Sequence, residues 1–91
     1  MLVSIEQNRF GHITLSPVSD RIRRKYARYL KKFNPNDNGT VYMQVDTDIE
    51  SLELTPSQRR DVEHGWTIRV RMDPWMYGSM LGYDAAENVK L

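Results

Sequence analysis

The chain contains no cysteine among its 91 residues. That excludes a disulfide framework, a thiolate zinc site and a cysteine nucleophile, and it fits a reducing compartment. Long apolar runs are also missing: no stretch approaches the roughly 18 residues of a membrane span. The first residues, Met1-Leu2-Val3-Ser4-Ile5-Glu6, show no basic segment leading into an apolar one, so no signal peptide is expected and the protein reads as soluble and cytoplasmic. Glycine-rich phosphate loops and Gly-x-Ser-x-Gly elbows are absent. The two histidines, His12 and His64, stand far apart and outside any known pattern. No enzyme and no cofactor are expected from such a set.

Metal ligation is equally poorly supplied. Asp46, Asp48 and Glu50 alternate and would share one side of an extended segment, but a calcium loop beginning at Asp46 has Ser51 where glycine is required. Asn34-x-Asn36-x-Asn38-Gly39 has neutral amides and places Val45 where a bidentate glutamate belongs. No metal is expected at either.

The scarcity that matters most is local. From Ser16 to Phe33 there is one acid, Asp20, against Arg21, Arg23, Arg24, Lys25, Arg28, Lys31 and Lys32. Val18, Ile22, Tyr26, Tyr29, Leu30 and Phe33 recur at helical spacing, so the segment reads as an amphipathic helix. It starts at Ser16-Pro17 or at Ser19-Asp20, since either serine can cap the open N–H groups. The arc opposite the apolar stripe carries Arg21, Arg24, Lys25, Arg28, Lys31 and Lys32, with Arg23 at the border. Arg21–Lys25, Arg24–Arg28 and Arg28–Lys32 are like-charge neighbours, each costing roughly 0.2–0.5 kcal/mol. With bases also at the positive end of the helix dipole, the total reaches about 1–2 kcal/mol. An anionic partner would offset it. Tyr26 and Tyr29 belong to the apolar stripe and are not expected to stack on bases.

Overall charge is only +1, with a pI near 8.0. Residues 1–39 hold eight Lys/Arg and three Asp/Glu, net +5, and residues 40–91 hold five and nine, net −4. Either Asp46, Asp48, Glu50 and Glu53 neutralise the helix within the fold, or the molecule shows one positive side to a partner.

The remaining chain alternates strand and helix patterns. Leu2–Glu6 and His12–Leu15 read as a hairpin around a turn at residues 7–11, and Thr40–Asp46 alternates cleanly as a strand. A further strand near residue 50 is weakly suggested. Thr55-Pro56-Ser57-Gln58 is a capping box opening a helix that runs to about His64 and closes at Gly65. Trp66, Ile68, Val70 and Met72 alternate with Thr67, Arg69 and Arg71 in a last strand, and Asp73-Pro74 opens a short third helix to Leu81. The expected class is α+β: a small, mainly antiparallel sheet of three to five strands, with two helices and a short third helix packed on one face. Residues 1–91 form a single domain, with about 84–91 as a loosely ordered tail.

Two partner readings follow. In the first, the protein docks an anionic partner, foremost nucleic acid, through Arg21, Arg24, Lys25, Arg28, Lys31 and Lys32. Arg69 and Arg71 would widen the positive area into a groove if their strand lies beside the helix. In the second, it is a regulatory or inhibitory protein, of the kind found among phage and bacterial accessory proteins. It would block an acidic protein surface, with Trp75, Met76, Tyr77 and Met80 as anchors. Gly78 and Gly82 would admit another backbone, so self-association through 75–83 is a further expectation. No membrane partner is expected.

Overall fold

A computed structural model describes residues 1–32, 43–45, 49–81 and 85–91. Strand β1 (Leu2–Gln7) turns into β2 (Ile13–Pro17), followed by helix α1 (Asp20–Lys31) and strand β3 (Met43–Val45). A 3-10 turn at Ile49–Leu52 precedes helix α2 (Pro56–Glu63), strand β4 (Ile68–Arg71), helix α3 (Pro74–Met80) and helix α4 (Ala85–Asn88). The sheet order is β3-β2-β1-β4, and each neighbouring pair is antiparallel. The α+β architecture expected from the patterning is the one observed.

The β1–β2 hairpin is set by its turn. The Asn8 carboxamide oxygen accepts from the Phe10 and His12 backbone N–H groups at 2.9 and 3.1 Å, and Gly11 adopts the left-handed φ of 84° that completes the reversal. The register that follows opposes Ile5 to Leu15 and Gln7 to Ile13, so Val3, Ile5, Ile13 and Leu15 share one side of the sheet. All four are buried, and they form one cluster with Tyr26 of α1, Val62 of α2, Tyr77 of α3 and Ala85 of α4. The helices therefore occupy a single face. The other face carries Ser4, Glu6, Thr14, Ser16, Arg69 and Arg71, with Glu6, Arg69 and Arg71 exposed.

Of the two candidate starts for the first helix, Ser19 is the cap, accepting from the Ile22 N–H at 3.4 Å. Ser16 and Pro17 instead end β2, where Pro17 opposes Val3. The ladder continues past it through the Val18 N–H to the Leu2 oxygen at 3.1 Å, so the missing proline donor faces away from β1. The capping box of α2 forms as its sequence reads: Thr55 N–H donates to Gln58 Oε1 at 3.0 Å, and Gln58 N–H donates to Thr55 Oγ1 at 3.2 Å. Its far end is a Schellman closure, with Gly65 N–H donating to the Val62 oxygen and Trp66 N–H to the Asp61 oxygen. Asp73 caps α3 by accepting from Trp75 N–H at 2.8 Å.

Several expectations are corrected. Trp66 does not begin the last strand's inward row. The Schellman closure holds it before β4, and it is 69% exposed. The segment near residue 50 forms a 3-10 turn rather than a strand. Of the expected tail at 84–91, the described part from Ala85 is instead anchored. Ala85 is fully buried, and Val89, just past α4, packs against the core cluster and donates its N–H to the Ala85 oxygen at 2.9 Å. The turn at 34–39, Phe33, and the Thr40–Asp46 strand apart from Met43–Val45 lie outside the described residues.

Candidate anion-binding surface

The twelve residues of α1 separate its faces sharply. Tyr26 is 1% exposed and Tyr29 is buried beside it, with Ile22, Ala27 and Leu30 partly covered. The Tyr26 ring meets that of Tyr77 edge to face, with centroids 5.1 Å apart and planes at 71°. Burial pushes the Tyr26 phenol above its usual value near 10, and it pushes Tyr77, which also feels Tyr26, much further. The tyrosines of the basic helix are thus core residues, as their spacing implies.

On the opposite arc Arg21, Arg24, Arg28, Lys31 and Lys32 are exposed, and Lys25 is half-buried. Asp20 is taken up by an i,i+3 ion pair with Arg23, at the border of the arc. Among the described residues no acid pairs with Arg21, Arg24, Arg28, Lys31 or Lys32. The question of internal neutralisation falls on the 46–53 segment. Asp46 and Asp48 lie outside the described residues. Glu53, held at a left-handed φ of 54°, lines a groove with Arg69 and Arg71 rather than with α1.

At its C-terminal half the arc becomes concave. Lys25, Arg28, Tyr29 and Lys32 face Asn88, Val89 and Lys90 across a cleft of about 360 Å³. Lys25 Nζ donates to the backbone oxygen of Lys90 at 3.0 Å, tying the chain's last residues to the helix. Asn88 Nδ2 approaches the Tyr29 hydroxyl at 3.5 Å. Lys90 and Asn88 were not singled out in the sequence. The available signal was the Ala85/Val89 pair, which docks them, but one turn is too short for periodicity to stand out.

Arg69 and Arg71 do not join this surface. They oppose Ser4 and Leu2 on β4, out of phase with Ile68 and Val70, whose partners Ile5 and Val3 face the helices. They therefore point to the sheet side away from α1, and the expected widening into one groove does not occur. The other candidate cluster also divides. Trp75 is 57% exposed and Met76 and Met80 are half-buried, but Tyr77 is fully buried and its side chain is not available at the surface. Gly78 admits a backbone from the same chain: a Cβ there would stand 2.5 Å from the Ala86 nitrogen. Gly82 lies outside the described residues. Phe10 and Trp66, at a hairpin tip and just past a helix-closing glycine, are further exposed rings that patterning did not flag.

The chain matches no protein-family model and no solved structure. A thymidylate synthase of Zymomonas mobilis subsp. mobilis (strain ATCC 31821 / ZM4 / CP4) is 42% identical over 43 residues, which is 47% of this chain and 14% of that protein. A likeness over so small a share of that protein assigns neither an activity nor a family to this chain. No helix among the described residues is long and apolar enough to cross a membrane.

Proposed function

We propose that the protein is a small, non-enzymatic binding protein of the cytoplasm that docks nucleic acid through the basic face of α1. The observation that carries this reading is the arc of Arg21, Arg24, Arg28, Lys31 and Lys32, exposed and unpaired with any acid among the described residues. Phosphates ask for cations in number, and their own neighbours on the helix would be relieved by them. Titrating a labelled oligonucleotide at rising salt tests it. With five phosphate contacts, log K should fall against log salt with a slope of about −4.5 on duplex DNA. Absence of binding at low salt would refute the reading.

A second reading has its own support in the exposed Trp75 beside half-buried Met76 and Met80 on α3. An aromatic anchor with adaptable methionines suits a regulatory protein that occupies an acidic surface of another protein, or a second copy of this chain. Trp75→Ala should then weaken capture of that partner, or dissociate a dimer in a sedimentation run. A monomer that retains no protein partner while binding DNA would remove this reading.

A further inference from the structure

The cleft between α1 and the C-terminal segment differs in kind from the rest of the basic arc. Arg21, Arg24 and Lys31 lie exposed on α1 outside that cleft, where each would meet an internal phosphodiester one at a time. Lys25, Arg28, Lys32 and Lys90 instead line one concavity, and none of its seven lining residues is an acid. Two neutral hydrogen-bonding groups, the Tyr29 hydroxyl and the Asn88 amide, stand beside them. The volume of about 360 Å³ falls at the small end of ligand pockets, which run from roughly 300 to 1,000 Å³. The shallow concavity is specific to the fold. It exists because α4 docks on α3 and because Lys25 reaches the Lys90 carbonyl.

A phosphodiester in a strand carries one charge, whereas a phosphate monoester carries about −1.5 to −2 at pH 7 and presents three acceptor oxygens. Four cationic residues lining one cleft suit the second better than the first, because a compact dianion can accept from several of them together. We infer that this cleft is a phosphate-monoester site, formed by Lys25, Arg28, Lys32 and Lys90 with Asn88 and Tyr29. The inference deepens the nucleic-acid reading and rests on it for the source of the ligand: the monoester is the terminal phosphate of a strand. The exposed bases of α1 outside the cleft then hold the following diesters. A free nucleoside monophosphate offers the same chemistry, and experiment separates the two.

The test uses the full chain and two otherwise identical single-stranded oligonucleotides, one with a 5′-phosphate and one with a 5′-hydroxyl, read by fluorescence anisotropy. The phosphorylated strand should bind about tenfold more tightly, with a steeper salt dependence. Lys90→Gln should bring the two strands to near-equal affinity, with only a small loss for the hydroxyl strand, because the Lys90 backbone oxygen still accepts from Lys25 and keeps the segment docked. A parallel calorimetric titration with a nucleoside 5′-monophosphate, and with the nucleoside alone, gives the second arm. Equal affinity for both strands, with no heat from the monophosphate, would overturn the monoester site and leave the nucleic-acid reading standing. If neither strand binds but the monophosphate does, and Lys90→Gln removes that binding, the cleft is confirmed with a free mononucleotide as its source and the nucleic-acid reading falls. If neither strand nor monophosphate binds, both fall.

Discussion

Two parts of the molecule carry clustered arginines, and they are positive in different ways. On α1 the bases are concentrated along one arc, and the helix's own acid is consumed by Arg23. On β4, Arg69 and Arg71 share their surroundings with Glu53 and Asp73 in a groove, and with Glu6 across the outward sheet face, where Glu6 Oε2 accepts from Thr67 Oγ1. β4 is also an edge strand, and charged residues there discourage pairing with another sheet. The bases of β4 thus stand among carboxylates, although neither makes an ion pair among the described residues. On α1, Arg23 pairs with Asp20 and Lys25 holds the Lys90 carbonyl, but Arg21, Arg24, Arg28, Lys31 and Lys32 make no ion pair among the described residues, and their mutual repulsion makes them a net cost unless something anionic arrives. A positive patch points to a partner when the fold leaves it without compensation, and a count of arginines does not reveal that.

Charge reversal should separate the two regions by the largest margin. Arg24→Glu with Arg28→Glu is expected to reduce oligonucleotide affinity by roughly two orders of magnitude at low salt, since two cations become two anions at the centre of the contact. Arg69→Glu with Arg71→Glu should change affinity by no more than about threefold, because those side chains face the other side of the sheet. Equal losses from both pairs, measured by anisotropy in the same buffer, would mean that the partner reaches around the sheet and that the comparison fails.

A second effect sharpens the difference by altering the α1 side alone. Gly78→Ala would drive a methyl into the Ala86 backbone, with 2.5 Å available where van der Waals contact needs more than 3.4 Å. Both partners are backbone, so α4 must shift. The expected destabilisation is about 1–3 kcal/mol, seen as a lowered Tm. Preference for a phosphorylated strand end should be lost with it, while Arg21, Arg24 and Lys31 continue to bind unphosphorylated strands. A variant with wild-type Tm and an intact preference would show that the cleft does not depend on α4.

The same contrast shows what was legible in the sequence. The polar and apolar arcs of α1 and the capping box at Thr55–Gln58 form as read, and the hairpin turn read at residues 7–11 forms with Gln7 still in β1; each is a local pattern with its own hydrogen-bonding logic. The positions of Arg69 and Arg71 relative to α1 depend on strand order, which no local pattern carries. The placement of β4 next to β1, and its pleat phase, decide that they face away. Trp75, Met76 and Tyr77 are adjacent in sequence, but on α3 they point in different directions, which puts Tyr77 in the core and Trp75 at the surface. The cleft has no local sequence signature, because one of its walls is a four-residue helix held by Ala85 and Val89 against the core cluster and by the close approach at Gly78.

The apolar side of α1 makes its own prediction with pH. Tyr26 and Tyr77 have folded-state pKa values raised by burial above the usual value near 10. The unfolded chain therefore releases these protons first as pH rises, and stability declines from about pH 10 upward by at most ~1.4 kcal/mol per pH unit for each phenol. Below pH 10 both phenols are protonated in both states and contribute no slope. An alkaline titration followed by tyrosinate absorbance should show these two ionising together with loss of the fold. Early ionisation without unfolding would mean that the underside of α1 is open to solvent.

The smallest effect concerns one atom. The Tyr77 hydroxyl is buried and has no hydrogen-bond partner among the described residues. A buried hydroxyl left unpaired loses its water contacts without replacement, which costs about 1–3 kcal/mol. Tyr77→Phe keeps the ring against Tyr26 and removes that cost, so its stability should equal or exceed that of the parent, by up to ~1 kcal/mol in chemical denaturation. Tyr77→Ala would remove the ring as well and cost about 3–5 kcal/mol, which makes the pair a control for packing. Because neither change touches a cation, oligonucleotide affinity of the phenylalanine variant should match the parent at every salt concentration. A loss of stability in Tyr77→Phe would show that the hydroxyl has a partner, which would place a polar group behind α1 and weaken the view of this helix as charged on one side and purely apolar on the other.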